Sequence, residues 1–203
     1  MSFLDNLNWR FAVKKFAKGK RVSPGKLEKI LLAIRLAPSS LGLQPYHIFV
    51  VSDQKLKEKM RGRSLDQAQV SDCGDLLIFC SRIDLENIID RYLALSQAVR
   101  GYTDVQIKKR RESLLAEFAE KTEAEKWQWA EQQTFIALGF ALAACAELKV
   151  DSCPMGGFNS REIDKILDLP GFMRSTVFLA AGVRDQQLQK KVRFSRDDLF
   201  TFV

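Results

Sequence analysis

Four short segments of the sequence carry side chains suited to binding a phosphorylated, planar ligand. The first is RFAVKKF, from Arg10 to Phe16, in which two cations stand four residues apart. Arg10 and Lys14 would share one face of a helix, with Phe16 packing inward. Two convergent cations can hold a phosphate, although taken alone the segment is more typical of a solvated basic helix.

The second segment is APSSLGLQPYH, from Ala37 to His47. Ser39 and Ser40 follow a helix end and offer hydroxyl and backbone N–H donors. Gln44 adds an amide just before Pro45, and the proline fixes the backbone where the chain enters the next element. By itself the segment predicts a polar turn.

The third segment is CPMGGFN, from Cys153 to Asn159, ahead of a helix for which Asn159 is the predicted N-cap. Gly156 and Gly157 permit backbone N–H groups to approach a flat ring closely. A side chain at Gly157 is expected to meet that ring or to be excluded by the backbone φ. An ordinary tight turn is the alternative interpretation.

The fourth segment is KVRFS, near the C-terminal end. Lys191 and Arg193 are separated by one residue, so in an extended tail both side chains lie on the same side. This pair also suits an anion.

The sequence lacks the motifs of several enzyme classes. It contains no GxGxxG after a strand, no GxxxxGKS/T, no GxSxG and no HExxH, so nucleotide hydrolysis and acyl transfer are not favoured. One histidine and four cysteines without CxxC spacing predict neither a metal site nor a disulfide. We expect His47 to be structural and Cys153 to be a packing residue, so no side chain is predicted to be catalytic.

Helix and strand signals place these segments at the ends of regular elements. A helix should begin at Ser23, with Pro24 in its first turn, and end before Pro38. The run His47–Val51 is β-branched and aromatic, which predicts a strand buried on both faces. Further elements are a short helix over 53–60, a strand over 75–81, an extended segment ending at 154, a helix over 160–167, a strand over 175–183 and an irregular tail.

Residues 86–147 contain no proline and only two glycines, so they predict two or three successive helices. Breaks are expected near Gly101–Asp104 and near Lys121. The stretch Trp127–Leu148 is the most hydrophobic, and a helix that is apolar on nearly all faces belongs in a core or a subunit interface. We expect it to pack against a second copy of the chain.

Composition and charge narrow the class of protein. The 203 residues are 46% hydrophobic and 28% charged, which predicts one α+β domain over residues 1–203. The longest apolar run, Phe135–Ala146, is too short to cross a membrane, and the N-terminus has no signal-peptide pattern. A cytoplasmic protein without a membrane partner is therefore expected.

The net charge of +7 is spread along the chain, with acidic residues between the basic clusters. This spread favours anion binding at discrete sites, without a nucleic-acid partner. A non-catalytic basic module that binds nucleic acid or another anion is the alternative.

Taken together, the four segments resemble the FMN-dependent nitroreductase family in their order and spacing, over nearly the whole chain. The resemblance implies a nitroreductase-like α+β fold, with a central mixed or antiparallel sheet flanked by helices. It also implies an intertwined homodimer with its active sites at the interface. In such an oxidoreductase, FMN passes a hydride through its N5 atom from NADH or NADPH to a nitroaromatic, quinone or similar small acceptor.

The resemblance also assigns a cofactor site residue by residue. Ala12 stands where the family's first motif has serine, and Gly156 stands where many members have glutamate. Lys191 and Arg193 match the C-terminal phosphate-binding pair, to which Arg10 would add a third cation. The stretch LDQAQVSD is similar to the one that binds the pyrimidine edge of the ring. The residues implied to bind FMN are Arg10, Phe11, Ala12, Lys14, Pro38, Ser39, Ser40, Leu41, Gln44, Gln67, Gln69, Pro154, Met155, Gly156, Gly157, Lys191 and Arg193.

Overall fold

The computed structural model describes residues 2–203, and within that range the chain forms nine α-helices and four β-strands. The helices are α1 (Phe3–Trp9), α2 (Pro24–Arg35), α3 (Gln54–Arg61), α4 (Ala68–Asp72), α5 (Leu85–Arg100), α6 (Asp104–Ala119), α7 (Glu123–Glu147), α8 (Ser160–Ile166) and α9 (Arg196–Leu199). The strands are β1 (Tyr46–Val51), β2 (Asp75–Arg82), β3 (Asp151–Met155) and β4 (Met173–Gly182). The predicted helices and strands from Ser23 onward are present. The unpredicted helices α1, α4 and α9 have at most seven residues, too few for a clear amphipathic period.

The four strands form one sheet in the order β1-β2-β4-β3. Phe49 pairs with Ile78, Ile78 with Phe178, and Pro154 with Leu179. All three strand pairs are antiparallel, so the antiparallel form of the predicted sheet is confirmed, as is the α+β class.

Helices cover both faces of the sheet because its central strands carry apolar side chains on both sides. On one face, Ile78 and Phe178 pack with α3, α4 and α8. On the other face, Phe79 and Leu179 pack with α2 and α7. Each fully buried side chain of this size contributes about 1.5–3 kcal/mol, so these two layers fix the position of every strand. A third apolar cluster lies between α5 and α6.

The prediction for β1 was wrong in one respect, because this strand is not buried on both faces. It lies at the edge of the sheet, where His47 and Val50 are exposed and only Val51 is buried. An apolar run does not by itself distinguish an edge strand from a central one such as β2. The outer edge of β1 therefore presents backbone groups that a further strand could pair with.

The helical breaks predicted for residues 86–147 are confirmed. Gly101 ends α5 in the left-handed conformation, with φ of 68°, which glycine adopts without a Cβ clash. Thr103 and Thr122 then begin α6 and α7 with capping boxes. These caps determine where each helix starts.

The 25-residue helix α7 lies against the sheet but retains an exposed apolar surface. On the side of α7 that faces the sheet, Ala137 and Ala141 are fully buried. Elsewhere on the same helix, Phe135 is 52% exposed and Ile136 and Phe140 are also exposed. Large apolar side chains that project together from one helix mark an interaction surface.

The segment RFAVKKF is not a helix, so that prediction was wrong. After α1 the chain runs extended beside β3, and Ala12 forms a parallel bridge with Ser152. Phe16 is buried, as predicted. Side chains alternate along an extended chain, so Arg10, Ala12 and Lys14 still share one side.

Gly74 lies where two backbones nearly touch, and this contact gives a stability prediction. A Cβ atom added to Gly74 would lie 2.7 Å from both the Arg21 Cα and the Lys20 carbonyl oxygen. Backbone atoms cannot rotate away, so Gly74→Ala should lower the free energy of unfolding by about 1–3 kcal/mol in urea titrations. Gly25→Ala is the control, because a Cβ there meets nothing within 4 Å. Equal stability of the two variants would contradict the crowding at Gly74.

Candidate cofactor site

Three cations from opposite ends of the chain meet beside β3, and we name them the cationic cluster: Arg10, Lys191 and Arg193. Burial and the positive charge of Arg193 lower the pKa of Arg10. Burial, Arg10 and Arg193 likewise lower the pKa of Lys191. Within residues 2–203 none of the three is paired with a carboxylate. A group of cations that repel one another without a counter-ion is the arrangement that an anion-binding site requires.

The Arg10 guanidinium carries the clearest sign of a missing ligand. Its Nη1 atom is buried and has no hydrogen-bond partner in the described part of the chain. A buried donor without an acceptor costs about 1–3 kcal/mol, more when it is charged. Lys191 differs, since its Nζ donates to the Leu7 carbonyl at 2.6 Å. An anion with several acceptor oxygens would satisfy the free Arg10 donor.

Contacts between the two chain ends hold this cluster in place. The backbone N–H groups of Lys14 and Lys15 both donate to Gln186 Oε1 at 2.7 Å. Lys14 Nζ lies 3.7 Å from Cys153 Sγ of β3. Sequence analysis missed Gln186 because no local pattern reveals a contact across about 170 residues of chain.

A second group of predicted residues meets where β3 ends. Gln67, which precedes α4, donates through Nε2 to the Gly157 carbonyl at 3.0 Å and to the Ser64 carbonyl at 3.2 Å. The N–H groups of Gly156 and Gly157 donate no hydrogen bond within residues 2–203. The turn therefore carries two backbone N–H donors without a partner in the described residues, and the Gln67 amide holds it to the segment before α4.

The two glycines differ in how much room they have. A Cβ on Gly157 would lie 3.1 Å from both Gln67 Nε2 and Leu65 Cδ1, whereas one on Gly156 meets nothing within 4 Å. Neither glycine has a positive φ, so the expectation that backbone φ excludes a side chain at Gly157 was wrong. Crowding by Gln67 and Leu65 restricts that position instead.

The remaining predicted residues near β3 are more deeply placed. Phe11 and Met155 are buried in the core, Gln69 is buried in α4, and Ala12 and Pro154 are half-buried. Phe158 stacks on Phe178 at 4.0 Å between ring centroids, which anchors the turn that carries the glycines. As predicted, Asn159 caps α8 by accepting the Glu162 N–H.

The loop from Pro38 to Gln44 has an unusual but well-anchored backbone. Leu41 and Gln44 are left-handed, with φ of 59° and 46°. Ser39 Oγ accepts the Gln44 N–H at 2.9 Å, and the Ser40 N–H donates to Gln133 Oε1 at 2.8 Å. The Gln44 amide donates to Tyr46 Oη and to the Arg35 carbonyl. Left-handed non-glycine residues that the surroundings hold in place cluster at functional sites.

Within one chain, this loop lies far from the cationic cluster. β1 and β3 are the two outer strands of the sheet, three inter-strand spacings or about 14 Å apart. The loop enters β1 at Tyr46, opposite Ser81 at the end of β2. Ala12 instead bridges to Ser152, which pairs with Ala181 opposite the start of β2. The structure therefore separates the predicted cofactor residues into two groups at diagonal corners of the sheet.

Comparison with known proteins decides the family. The model of the nitroreductase family matches residues 7–183. This chain belongs to the nitroreductase family. The Bacillus subtilis protein YfkO, named as a candidate NAD(P)H nitroreductase, is 32% identical over 216 residues, covering 98% of this chain and 96% of YfkO.

Solved structures of nitroreductase-like proteins share the fold. A candidate NAD(P)H:FMN oxidoreductase of Staphylococcus epidermidis matches with a TM-score of 0.91 and 20% identity, over 100% of this chain and 96% of the other. A candidate nitroreductase of Exiguobacterium sibiricum, solved in complex with FMN, matches with a TM-score of 0.86 and 15% identity, over 100% and 98%. The predicted nitroreductase-like fold is thus confirmed.

Three further features of this nitroreductase-family chain concern metal ligands, membrane-spanning helices and thiols. Among residues 2–203, no group of three or more His, Cys, Asp or Glu side chains is arranged to hold a metal ion. The same residues contain no helix that is both long and apolar enough to span a membrane. All four cysteines are buried free thiols.

His47 and Cys153 are the two side chains most easily mistaken for catalysts. Partial burial, Arg82 and Arg91 lower the pKa of His47, which reduces the share of rings that carry the proton a general acid would donate. Burial raises the pKa of Cys153, which makes it a weak nucleophile. We predict that His47→Gln and Cys153→Ser each keep turnover within about tenfold, less than the ~10²–10⁴-fold of a true acid or base. Steady-state kinetics check this, and a larger loss in His47→Gln with the cofactor still bound would make His47 catalytic.

Proposed function

We propose that this chain is an FMN-dependent oxidoreductase that takes a hydride from NADH or NADPH and reduces a nitroaromatic, quinone or similar small acceptor. The observation that carries the proposal is the cationic cluster, with its unpaired and buried Arg10 Nη1. An FMN phosphate is close to a dianion, and guanidinium groups bind such oxygens through short, charge-assisted hydrogen bonds. Nitroreductase family membership makes this phosphate the best-supported anion.

The other predicted residues fit the rest of the cofactor. Arg10, Ala12 and Lys14 lie in a line on one side of an extended segment, which leads from the cationic cluster along β3. That strand leads in turn to Gly156 and Gly157, whose free N–H groups can donate to acceptor atoms of a flat ring. The chain thus offers cations at one end and backbone donors at the other, as the two ends of FMN require.

In this proposal the protein binds FMN and orients it toward the reductant and the acceptor. The chemistry that bound FMN supplies is two-electron transfer at N5, so reductant and acceptor react in turn. With a quinone as acceptor, NAD(P)H, the quinone and one proton give NAD(P)⁺ and the hydroquinone. With a nitroaromatic acceptor, NAD(P)H, the nitro compound and one proton give NAD(P)⁺, the nitroso compound and water. We assign no side chain among residues 2–203 as the acid, and we propose that solvent supplies the proton.

The divided site leads to a proposed homodimer, in which each chain is one FMN-binding domain. The loop from Pro38 to Gln44 lies at the opposite corner of the sheet from the cationic cluster of its own chain, so we place it at the site of a second copy. Exposed apolar side chains support this assembly, both on α7 and in the tail, where Phe194 is 75% exposed and Phe202 78%. The outer edge of β1 has backbone N–H and C=O groups with which the C-terminal tail of the second copy could form hydrogen bonds.

Crowding at Gly157 gives a prediction about the ring end of the site. Gly157→Val should displace the Gln67 amide and weaken FMN binding by about tenfold or more, since overpacking of 1–3 kcal/mol must be relieved. Gly25→Ala is the control and should bind FMN normally, because Gly25 lies outside the proposed site and a Cβ there meets nothing within 4 Å. Flavin fluorescence titration measures both. Equal binding by the two variants would contradict the role given to the turn.

The proposed function is tested on the purified protein. Its visible spectrum should show bound flavin, and with FMN it should oxidise NADH or NADPH when menadione is added. A basic binding module would instead be colourless and would bind duplex DNA with a steep salt dependence. Protein that refuses added FMN and shows this DNA affinity would overturn the proposal.

A further inference from the structure

Two adjacent residues before α4 adopt a left-handed backbone, which is unfavourable for Leu65 and tolerated by Asp66. Leu65 has φ of 53° and Asp66 has φ of 50°. Left-handed backbone costs about 1–2 kcal/mol for a residue with a Cβ, and asparagine and glycine tolerate it far better than leucine. Something other than local preference must hold this turn.

Arg61, the last residue of α3, holds the turn. Its Nε and Nη2 atoms donate to the two carboxylate oxygens of Asp66 at 2.8 and 3.2 Å, and its Nη1 reaches Ser71 Oγ at 3.4 Å. The guanidinium therefore ties the turn to both α3 and α4. Because the pair is bidentate, it fixes orientation as well as distance.

The turn places an apolar side chain where folding does not need it. Leu65 is 81% exposed, and its Cδ1 lies 3.1 Å from the position that a Cβ on Gly157 would take. Gly156, next along the chain, borders space in which an added Cβ would meet nothing within 4 Å. Leu65 thus forms an apolar wall beside the open space above the glycine turn.

We propose that Leu65 is a specificity-determining residue, which contacts neutral aromatic acceptors, and that Arg61 is the positioning residue that keeps it there. The proposal rests on the proposed function. The Asp66 carboxylate is neutralised by Arg61, so the wall presents an apolar surface without an unpaired charge. Such a surface favours a flat neutral acceptor over a small hydrophilic anion.

The experiment compares FMN-loaded wild type with Leu65→Asn, Arg61→Met and the control Arg63→Met. Arg63 is a neighbouring cation whose exposed contact with Glu162 spans 3.7 Å. For each protein, kcat/KM is measured with menadione, a neutral quinone, and with ferricyanide, a hydrophilic anion. The FMN Kd, the Tm and the rate of thermolysin cleavage near residue 65 are measured as well.

Leu65→Asn should lower kcat/KM for menadione about tenfold, the factor that 1.4 kcal/mol gives, and leave ferricyanide within about twofold. Its Tm should stay equal or rise, because asparagine accepts the left-handed backbone. Arg61→Met should shift the acceptor ratio in the same direction and speed cleavage near residue 65. Arg63→Met should change neither.

Other outcomes would overturn the proposal. An unchanged menadione-to-ferricyanide ratio in Leu65→Asn, or an equal loss with both acceptors, would show that Leu65 does not contact the acceptor. A changed ratio in Leu65→Asn but not in Arg61→Met would remove the positioning role of Arg61. Failure of the proposed function is a separate result, since the wild type itself would then neither bind FMN nor oxidise NAD(P)H.

Discussion

Deleting residues 190–203 is expected to weaken FMN binding by about 10²–10⁴-fold and to shift the proposed dimer to monomers. Lys191 and Arg193 are two of the three members of the cationic cluster. Each hydrogen bond to a charged group contributes about 1.5–3 kcal/mol, which gives this range for the pair. The deletion also removes the exposed apolar side chains from Val192 to Val203. Fluorescence titration with FMN and analytical ultracentrifugation measure the two effects.

A shorter deletion separates the two roles of the tail. Removing only residues 200–203 keeps Lys191 and Arg193 but deletes exposed Phe200 and Phe202. We expect this variant to associate more weakly than wild type yet to bind FMN far better than the longer deletion does. A protein that lacks residues 190–203 and stays both yellow and dimeric would contradict the account of the tail.

Arg10→Met should have two opposite effects on one protein. Methionine matches the length of the buried stem without the charge, so FMN binding should weaken by about 10²–10³-fold, as expected when a buried ionic partner is lost. The FMN-free protein should become more stable, because the unpaired Nη1 and the repulsion from Arg193 disappear. Thermal unfolding without FMN and fluorescence titration with FMN measure the two changes.

Two further substitutions serve as comparisons for Arg10→Met. Lys15→Met alters an exposed cation one residue beyond Lys14 and should change neither property. Arg193→Ala should weaken FMN binding by a few kcal/mol, like Arg10→Met, since it removes a second member of the cluster. If Arg10→Met lowered stability without FMN, Arg10 would be a structural residue rather than a phosphate ligand.

Elements with strong local signals could be predicted from the sequence. Three helix ends have such signals: the N-terminal proline of α2, the glycine after α5 and the Asn159 cap of α8. Each signal acts within a few residues, so the local sequence is enough to predict it. Strand β2, in which every residue except Arg82 is buried, was equally clear. In each case the energy that fixes the element is local, or depends only on which side chains are apolar.

Features that depend on distant partners could not be predicted. The edge position of β1 follows from the strand order, and the extended backbone at Ala12 follows from its bridge to Ser152. Helical and extended backbones both place Arg10 and Lys14 on one side, so the spacing alone could not separate them. The left-handed pair at Leu65 and Asp66 has a nearby partner in Arg61, but leucine disfavours this backbone, so its residue type did not predict the turn.

The central claim is that the cationic cluster binds the phosphate of FMN, and comparison of FMN with riboflavin tests it most directly. Riboflavin has the same ring and ribityl chain but lacks the phosphate. Titrated into the flavin-free protein at one ionic strength, FMN should bind at least about 10²-fold more tightly than riboflavin, because two or more charge-assisted hydrogen bonds are lost. In Arg10→Met that ratio should shrink. Equal affinities for FMN and riboflavin in the wild-type protein would contradict the assignment of Arg10, Lys191 and Arg193.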